Sequence, residues 1–221
     1  IWMRPTLVDW ILDFFWPSRC IFCGKIIPPQ KLYCSECINQ LSPVTSLPPL
    51  FYLDIVLSFT KYSYTSSSAI YRLKFRNQPK LAATLAQMMA ERFCSQLSKL
   101  SIDLICAVPM SPQKQRQRGY NQAQLLAQQV AKQMNIPYAP LLEKIRTTPE
   151  QHTLGAEQRK HNLKDAYRVV TPQQVLGKRI LIIDDVITTG STMNECAHTL
   201  RDAGAEWVGA LSFAHTTMIP N

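Results

Sequence analysis

Two adjacent acidic residues and a hydroxyl-rich turn follow a strongly apolar segment near the C-terminus. The segment RILIIDDVITTGST places Asp184 and Asp185 at the end of a run typical of a buried strand. A glycine after such a strand lets the backbone approach an oxyanion, hydroxyls donate hydrogen bonds to it, and the first amides of a following helix are unpaired donors. We therefore predict a phosphate-binding turn. Its predicted contacts are Thr188, Thr189, Gly190, Ser191 and Thr192.

The two aspartates restrict what this turn could bind. Asp184 and Asp185 would repel a bare phosphate, whereas the vicinal hydroxyls of a ribose can donate hydrogen bonds to them and magnesium can bridge hydroxyl and phosphate oxygens. A sugar phosphate therefore fits the residues best, with a plain metal site or a solvated turn as the alternatives. Thr192 and Glu195 have capping-box spacing, which predicts where the next helix begins.

A basic segment, PMSPQKQRQRGYNQ, follows a second apolar strand, IDLICAVP. No acidic residue occurs between Leu104 and Leu142. Loops that follow parallel strands lie at the same edge of a sheet, so this segment is expected to face the aspartates. Its arginines could pair with a diphosphate, although a solvated basic loop would explain the charges alone. The predicted diphosphate contacts are Arg116, Arg118, Gly119 and Asn121, with Lys114 nearby.

Four cysteines near the N-terminus have the spacing C-x2-C-x10-C-x2-C. Two such pairs can bring four thiolates to tetrahedral zinc distances, and a site with all four positions occupied by sulfur has a structural role. Unrelated buried cysteines or a redox dithiol are the alternatives. The predicted zinc ligands are Cys20, Cys23, Cys34 and Cys37. The remaining cysteines, Cys94, Cys106 and Cys196, lie on apolar faces and are predicted to be buried structural thiols.

Helices and apolar strands alternate through most of the remaining sequence, which indicates a mainly parallel sheet with helices on both faces. A short amphipathic helix is predicted over residues 6–15, with its apolar face docked on the protein body. The predicted domains are residues 1–48, the helix and zinc module, and residues 49–221. The predicted strands are FYLDIVLSF, the Tyr62–Tyr64 region, IDLICAVP, YAPLLEKIR, KRILIIDDV and EWVGALSFA. Four helices are predicted in this part of the chain. The first follows a cap at Ser66–Ser68, the second spans Lys80–Leu97, and the other two have the sequences QAQLLAQQVAKQM and TMNECAHTLRDAG.

The composition favours an anionic partner. The net charge is +9, and most of the excess belongs to the part of the chain after residue 50. A basic balance of this kind suits phosphate-bearing metabolites or nucleic acid. No run approaches the roughly 20 apolar residues that a membrane-spanning helix needs. Together with an odd number of cysteines, seven, this predicts a cytoplasmic protein.

Taken together, the motifs resemble known proteins. IDDVITTGST is similar to the 5-phosphoribosyl diphosphate (PRPP) motif of type I phosphoribosyltransferases, and VPMSPQKQRQRGYNQAQLLA with the cysteine quartet resembles the ComF/GntX family. The resemblance covers nearly the whole chain. It implies a phosphoribosyltransferase-like fold, PRPP bound with magnesium, catalytic Asp184 and Asp185, and a pyrophosphate loop around Arg116. For some members it implies a part in natural transformation by imported single-stranded DNA, without a settled reaction.

Two further segments remain candidates for function. The polar stretch from residue 147 to 167 is predicted to be a flexible loop over bound ligand, with Gln151, Arg159 and Asn162 as site candidates. Basic and aromatic residues alternate between Tyr71 and Lys80, as in a nucleic-acid strip or an ordinary basic helix face. The histidines are predicted to be solvent-facing (His152, His161) or structural (His198, His215). A PRPP-dependent transferase and a DNA-binding or assembly module are the leading hypotheses.

Overall fold

A computed structural model describes residues 17–44, 46–48, 50–76, 78–145 and 166–216. The helices are α1 (Ser35–Gln40), α2 (Tyr64–Phe75), α3 (Leu81–Leu97), α4 (Pro112–Arg118), α5 (Gln122–Met134) and α6 (Ser191–Asp202). The strands are β1 (Ile55–Lys61), β2 (Leu104–Ala107), β3 (Leu142–Lys144), β4 (Tyr167–Val169), β5 (Arg179–Ile187) and β6 (Trp207–His215). Short 3-10 helices span Ser98–Leu100 and Pro172–Gln174.

The central sheet has the strand order β1-β6-β5-β2, and all of its strands are parallel. Every residue of β6 is buried, as are most residues of β5. Such continuous apolar runs are expected when helices cover both faces of a sheet. Because β5 lies between β6 and β2, the loops that follow β2 and β5 begin at the same edge. The predicted mainly parallel α/β fold is confirmed.

Local capping positions the helices that border this edge. Helix α2 is N-capped by Ser63, whose hydroxyl accepts a hydrogen bond from the Ser66 amide while the Ser66 hydroxyl accepts one from the Ser63 amide. Helix α5 is capped by Asn121, whose carboxamide oxygen accepts from the Ala123 amide. These bonds satisfy amides that the first turn leaves without intrahelical partners.

Four predictions of local secondary structure were wrong. The Tyr62–Tyr64 region is not a strand, because the capping box at Ser63 begins a helix there; the predicted cap at Ser66–Ser68 lies inside α2. The YAPLLEKIR segment does not form a strand of the main sheet. Only Tyr138 makes a parallel bridge to Ile105, and β3 turns away to pair antiparallel with β4. The basic segment predicted as a loop contains helix α4, which Ser111 caps and Pro112 begins.

The zinc module shares the hydrophobic core of the α/β domain. Cys20, Ile21, Phe22 and Leu41 are buried in the same cluster as the residues of the central sheet. The linker after α1 adds a bridge between Pro43 and Thr60 of β1. The predicted helix over residues 6–15 lies outside the described residues. Within the described ranges, no helix has the length and apolar character required to span a membrane.

Candidate ligand-binding site

The acid pair lies at the carboxyl end of β5, where ligands bind in open α/β sheets. Asp185 is buried, with 2% of its surface exposed, whereas Asp184 is partly exposed. The Asp184 carboxylate accepts a hydrogen bond from the Asp185 amide at 2.8 Å. Opposite Asp184 in β6 is Ser212, a small buried side chain. The strand therefore presents two carboxylates close together at this edge of the sheet.

A lysine from another element neutralises this pair in part. Lys74 of α2 places its Nζ 2.6 Å from the Oδ2 of Asp185. Burial lowers the pKa of Lys74, but the nearby charges of Asp185 and Asp184 outweigh it and raise the pKa, so the ammonium remains charged. Burial and the neighbouring Asp185 carboxylate raise the pKa of Asp184 well above its usual range, and Lys74 opposes them only in part. The sequence assigned Lys74 to a nucleic-acid strip or an ordinary basic helix face, and its position beside Asp185 was not predicted.

The predicted phosphate turn connects β5 to α6. Thr188 and Thr189 are exposed, and Gly190 caps α6 with a φ of +77°, a conformation that glycine adopts without strain. The hydroxyls of Thr189 and Ser191 lie 2.9 Å apart. Gly190 itself has no side chain to cap this helix, and the Ser191 amide donates to the Thr189 hydroxyl at 3.4 Å. A β-carbon on Gly190 would collide with Leu50, because the linker packs directly on the turn.

The prediction that Thr192 and Glu195 form a capping box was wrong. The N-cap is Gly190, two residues before Thr192, and the first residue of helix α6 is Ser191. The spacing alone was misleading, since Gly190, in the left-handed region, already begins the helix before Thr192.

A basic cleft of about 750 Å³ lies beside the acid pair. Lys74 lines it together with α4, so it connects the two features. Gly119 ends α4 with a φ of +85°, and a β-carbon added there would meet nothing within 4 Å, so the cleft is open at this point. Its described lining residues are Lys74, Phe75, Lys114, Arg116, Gln117, Arg118, Gly119 and Tyr120.

The residues predicted to contact the diphosphate differ in their exposure and in their hydrogen-bond partners. Arg116 is exposed on the cleft, whereas Arg118 donates to Gln122 at 2.6 Å and stacks 5.0 Å from the Phe75 ring centre. Asn121 is buried, and its amide nitrogen donates to the Val108 carbonyl at 2.9 Å. In this structure Asn121 therefore holds the two ends of the basic segment together. Gln151, Arg159 and Asn162 lie outside the described residues.

The four predicted zinc ligands converge. Their sulfur atoms all lie within 4.8 Å of one another, and the Sγ atoms of Cys23 and Cys34 are 3.8 Å apart. Tetrahedral zinc with bonds of about 2.3 Å needs sulfurs separated by about 3.8 Å, so the arrangement fits this metal. Burial raises the pKa of Cys20, but backbone hydrogen bonds from Cys23, Cys34 and Phe22 lower it overall to about 6. Burial instead raises the pKa of Cys23 and Cys37, so zinc binding would release their protons.

Predictions for the other cysteines and histidines had mixed outcomes. Cys106 and Cys196 are buried as predicted, but the prediction for Cys94 was wrong, because it is exposed on α3. His215 is buried, and its structural role agrees with burial lowering its pKa. His198 was also predicted to be structural, and its Nε2 lies 3.3 Å from an Asp202 carboxylate oxygen one turn along α6.

Comparison with known families agrees with this geometry. Residues 121–216 match the family model of the phosphoribosyl transferase domain, and residues 11–48 match the double zinc ribbon domain. The fold and its sites define a phosphoribosyltransferase-like protein with a structural zinc module at its N-terminus.

The relatives identify the family more narrowly. Competence protein F of Haemophilus influenzae is 33% identical over 192 residues, which cover 85% of this chain and 80% of that protein. DNA utilization protein YhgH of Salmonella typhimurium is 32% identical over 195 residues, covering 86% and 81%. The chain therefore belongs to the ComF/GntX family.

Solved structures resemble the chain only loosely. Adenine phosphoribosyltransferase from Saccharomyces cerevisiae has a TM-score of 0.41 and 14% identity, covering 82% of this chain and 86% of that one. An allosteric regulatory enzyme of purine biosynthesis also has a TM-score of 0.41, with 26% identity, covering 59% and 25%. The family assignment depends on the domain matches and the relatives, not on these scores.

Proposed function

We propose that this protein binds PRPP with magnesium at the edge formed by β5, α6 and α4. The observation that carries the proposal is the acid pair Asp184 and Asp185, placed between the N-terminus of α6 and a basic cleft. PRPP is a ribose with a phosphate at one end and a diphosphate at the other, so it offers a matching group to each of these features.

In this arrangement each part of the ligand has its own residues. The ribose hydroxyls donate to the carboxylates of Asp184 and Asp185, and the 5-phosphate accepts from the amides and hydroxyls of residues 188–192. The diphosphate lies toward Arg116 and Lys114 in the cleft. Bound magnesium would supply positive charge to the diphosphate oxygens, and the two aspartates are the residues that would help to hold it.

The same residues support group transfer. In such a step the bond between ribose C1 and the diphosphate oxygen breaks with its electron pair, and an acceptor nitrogen forms a new bond to C1 and releases a proton. Asp184 and Asp185 hold the ribose while positive charge develops on its ring, and the cationic cleft stabilises the departing pyrophosphate. A cytoplasmic location suits this ligand.

Titration calorimetry with PRPP tests the binding proposal. We expect binding in the presence of magnesium and at least about tenfold weaker binding with a chelator, because the metal compensates the diphosphate charge. Pyrophosphate release, measured against a panel of nucleobases and amines, then tests transfer. Absence of binding heat at millimolar PRPP and magnesium would contradict the proposal. Binding without pyrophosphate release would show that the protein binds PRPP but does not transfer its ribosyl group to the acceptors tested.

A second function, binding of single-stranded DNA, is favoured by an exposed aromatic face on α2. Tyr71 and Phe75 are 51% and 60% exposed, and their ring centres are 5.1 Å apart. Arg76 lies over the first ring and Arg118 over the second. Aromatic rings beside cations are typical of surfaces that stack bases and track phosphates. The relatives' names refer to competence and DNA utilization, so we place the cellular role in handling imported DNA with DNA-uptake proteins.

Fluorescence anisotropy with a labelled single-stranded oligonucleotide tests this second function. About three DNA phosphates in contact with the basic residues around α2 would release counterions. The logarithm of the association constant should therefore fall with the logarithm of the salt concentration, with a slope of about −2. Tyr71→Ala with Phe75→Ala should weaken binding about 30-fold or more, since each of two stacked bases contributes about 1–3 kcal/mol. Tyr64→Ala is the matched control, because this tyrosine is 92% exposed at the opposite end of α2. Affinity that is insensitive to salt, or equally reduced by the control, would exclude the aromatic face.

A further inference from the structure

Helix α2 contacts the zinc module with one of its faces. The Ser68 hydroxyl donates to the Phe22 carbonyl at 2.6 Å. One turn later, Arg72 donates to the carbonyls of Cys20 and Ile21, both at 3.3 Å. Cys20 is a zinc ligand, so these hydrogen bonds attach α2 to the backbone of the first cysteine pair. Residues four apart on a helix share a face, which explains why both side chains reach the same segment.

A different face of the same helix contacts the ligand-binding site. Lys74 lies two residues after Arg72, and its side chain pairs with Asp185 at 2.6 Å while also lining the basic cleft. The Tyr120 hydroxyl donates to the Leu73 carbonyl, which attaches this end of α2 to the segment after α4. Between the two faces, Ala69, Ile70 and Leu73 are buried in the core. A single rigid helix of 12 residues thus joins the zinc module to the acid pair.

The charge of Lys74 has a specific consequence at this site. Without a cation, Asp184 and Asp185 would form an adjacent pair of carboxylates, which is the donor set that a free divalent metal prefers. With Lys74 beside Asp185, the pair carries less net negative charge and repels a diphosphate less. The ammonium also stands at the boundary between the carboxylates and the cleft, where it can donate to a phosphate oxygen.

We propose that Lys74 is a ligand-positioning residue of the PRPP site and that the zinc module, through Ser68 and Arg72, sets its position. This inference rests on the proposed function, because it concerns the same ligand. Lys74 orients Asp185 toward the ribose and lowers the affinity of the empty acid pair for free metal, so that magnesium enters together with the diphosphate. The zinc module acts on the site by holding the helix that carries this lysine.

Replacement of Lys74 separates this role from simple structural pairing. In Lys74→Met, PRPP affinity measured by calorimetry should fall about 10- to 100-fold, as when other partners of ligand-holding groups are removed. Affinity for manganese alone, measured by electron paramagnetic resonance without PRPP, should rise. A purely structural lysine would change thermal stability and leave metal affinity unaltered or lower. Unchanged PRPP affinity together with unchanged manganese affinity would overturn the proposal.

Lys74→Arg tests the same positioning role if Lys74→Met does not fold. Arginine retains the charge, but its longer, planar group cannot reproduce the ammonium position. It should fold, bind manganese as weakly as the wild-type protein, and bind PRPP about tenfold more weakly. PRPP binding equal to that of the wild-type protein would refute a positioning role. If the wild-type protein itself binds no PRPP, the proposed function fails instead.

The link to the zinc module has its own test on the far face of α2. Arg72→Ala should retain zinc and reduce PRPP affinity about five- to tenfold, within the range of coupling between separate sites. Arg76→Ala is the matched control, one turn further along the helix, where Arg76 lies over Tyr71 instead of the zinc module. Combining Arg72→Ala with Lys74→Arg should add little to the effect of Lys74→Arg alone, because both act through the same lysine. Full additivity, or equal effects of Arg72→Ala and Arg76→Ala, would show that the zinc module does not set the position of Lys74.

Discussion

Replacing Asp184 and Asp185 together by asparagine is expected to weaken magnesium-dependent PRPP binding by about 100-fold or more, because each hydrogen bond to a charged group contributes about 1.5–3 kcal/mol. An asparagine keeps the shape of the side chain but removes the charge that attracts the ribose hydroxyls and the metal. Titration calorimetry of the double variant beside the wild-type protein measures the loss directly. Binding within about threefold of wild type would exclude the acid pair as the ribose site.

The single variant Asp184→Asn distinguishes lost binding from lost folding. Burial and Asp185 raise the pKa of Asp184. For an acid whose folded-state pKa lies above the unfolded value of about 3.9, ionisation opposes folding, and stability falls as pH rises from the unfolded pKa to the folded one. Removing the ionisable group should therefore raise the melting temperature at pH 7, by about 2–4 °C for each kcal/mol recovered in a chain of this size.

The control for this variant is Asp202→Asn, at the opposite end of α6, where Asp202 is an exposed partner of His198. It should change neither PRPP affinity nor the melting temperature by a measurable amount, since exposed ion pairs contribute little. The melting temperature of Asp184→Asn can be measured by differential scanning calorimetry. A value below that of the wild-type protein would contradict the interpretation that the ionised Asp184 carboxylate destabilises the fold.

The residues at the end of β5 were predictable because their information is local. An apolar strand, two acids, a glycine turn and a helix occur consecutively, and parallel β-sheet geometry places them at one edge. The cysteine quartet was predictable for the same reason, since its spacing encodes two metal-binding turns. Both features depend on residues that are near one another in sequence.

The role of Lys74 could not be read from the sequence, because its partner, Asp185, comes from a distant strand. Asn121 shows the opposite difficulty. Its position in a polar segment suggested contact with ligand, but tertiary packing buried it and satisfied it with the Val108 carbonyl. The sequence alone does not distinguish polar loop residues that contact a ligand from those that stabilise the loop. The course of the backbone is needed to separate them.

Replacement of a zinc ligand should have the largest effect on stability. Structural zinc supplies about 10 kcal/mol or more to small modules, and the segment around Cys20 and Cys37 has few core residues of its own. Cys20→Ser or Cys37→Ser should therefore eliminate stoichiometric zinc, measured by atomic absorption, and make residues 18–41 sensitive to limited proteolysis. Because Cys20, Ile21 and Phe22 belong to the common core, the melting temperature of the whole chain should fall as well.

Cys94→Ser is the matched control for this experiment, because Cys94 is an exposed thiol on α3 away from the quartet. It should retain one zinc ion per chain, resist the protease as the wild-type protein does, and melt at the same temperature. A Cys37→Ser protein that keeps a full equivalent of zinc would show that three sulfurs suffice. Loss of zinc without increased proteolysis would instead mean that packing against α2, through Ser68 and Arg72, holds the module together without the metal.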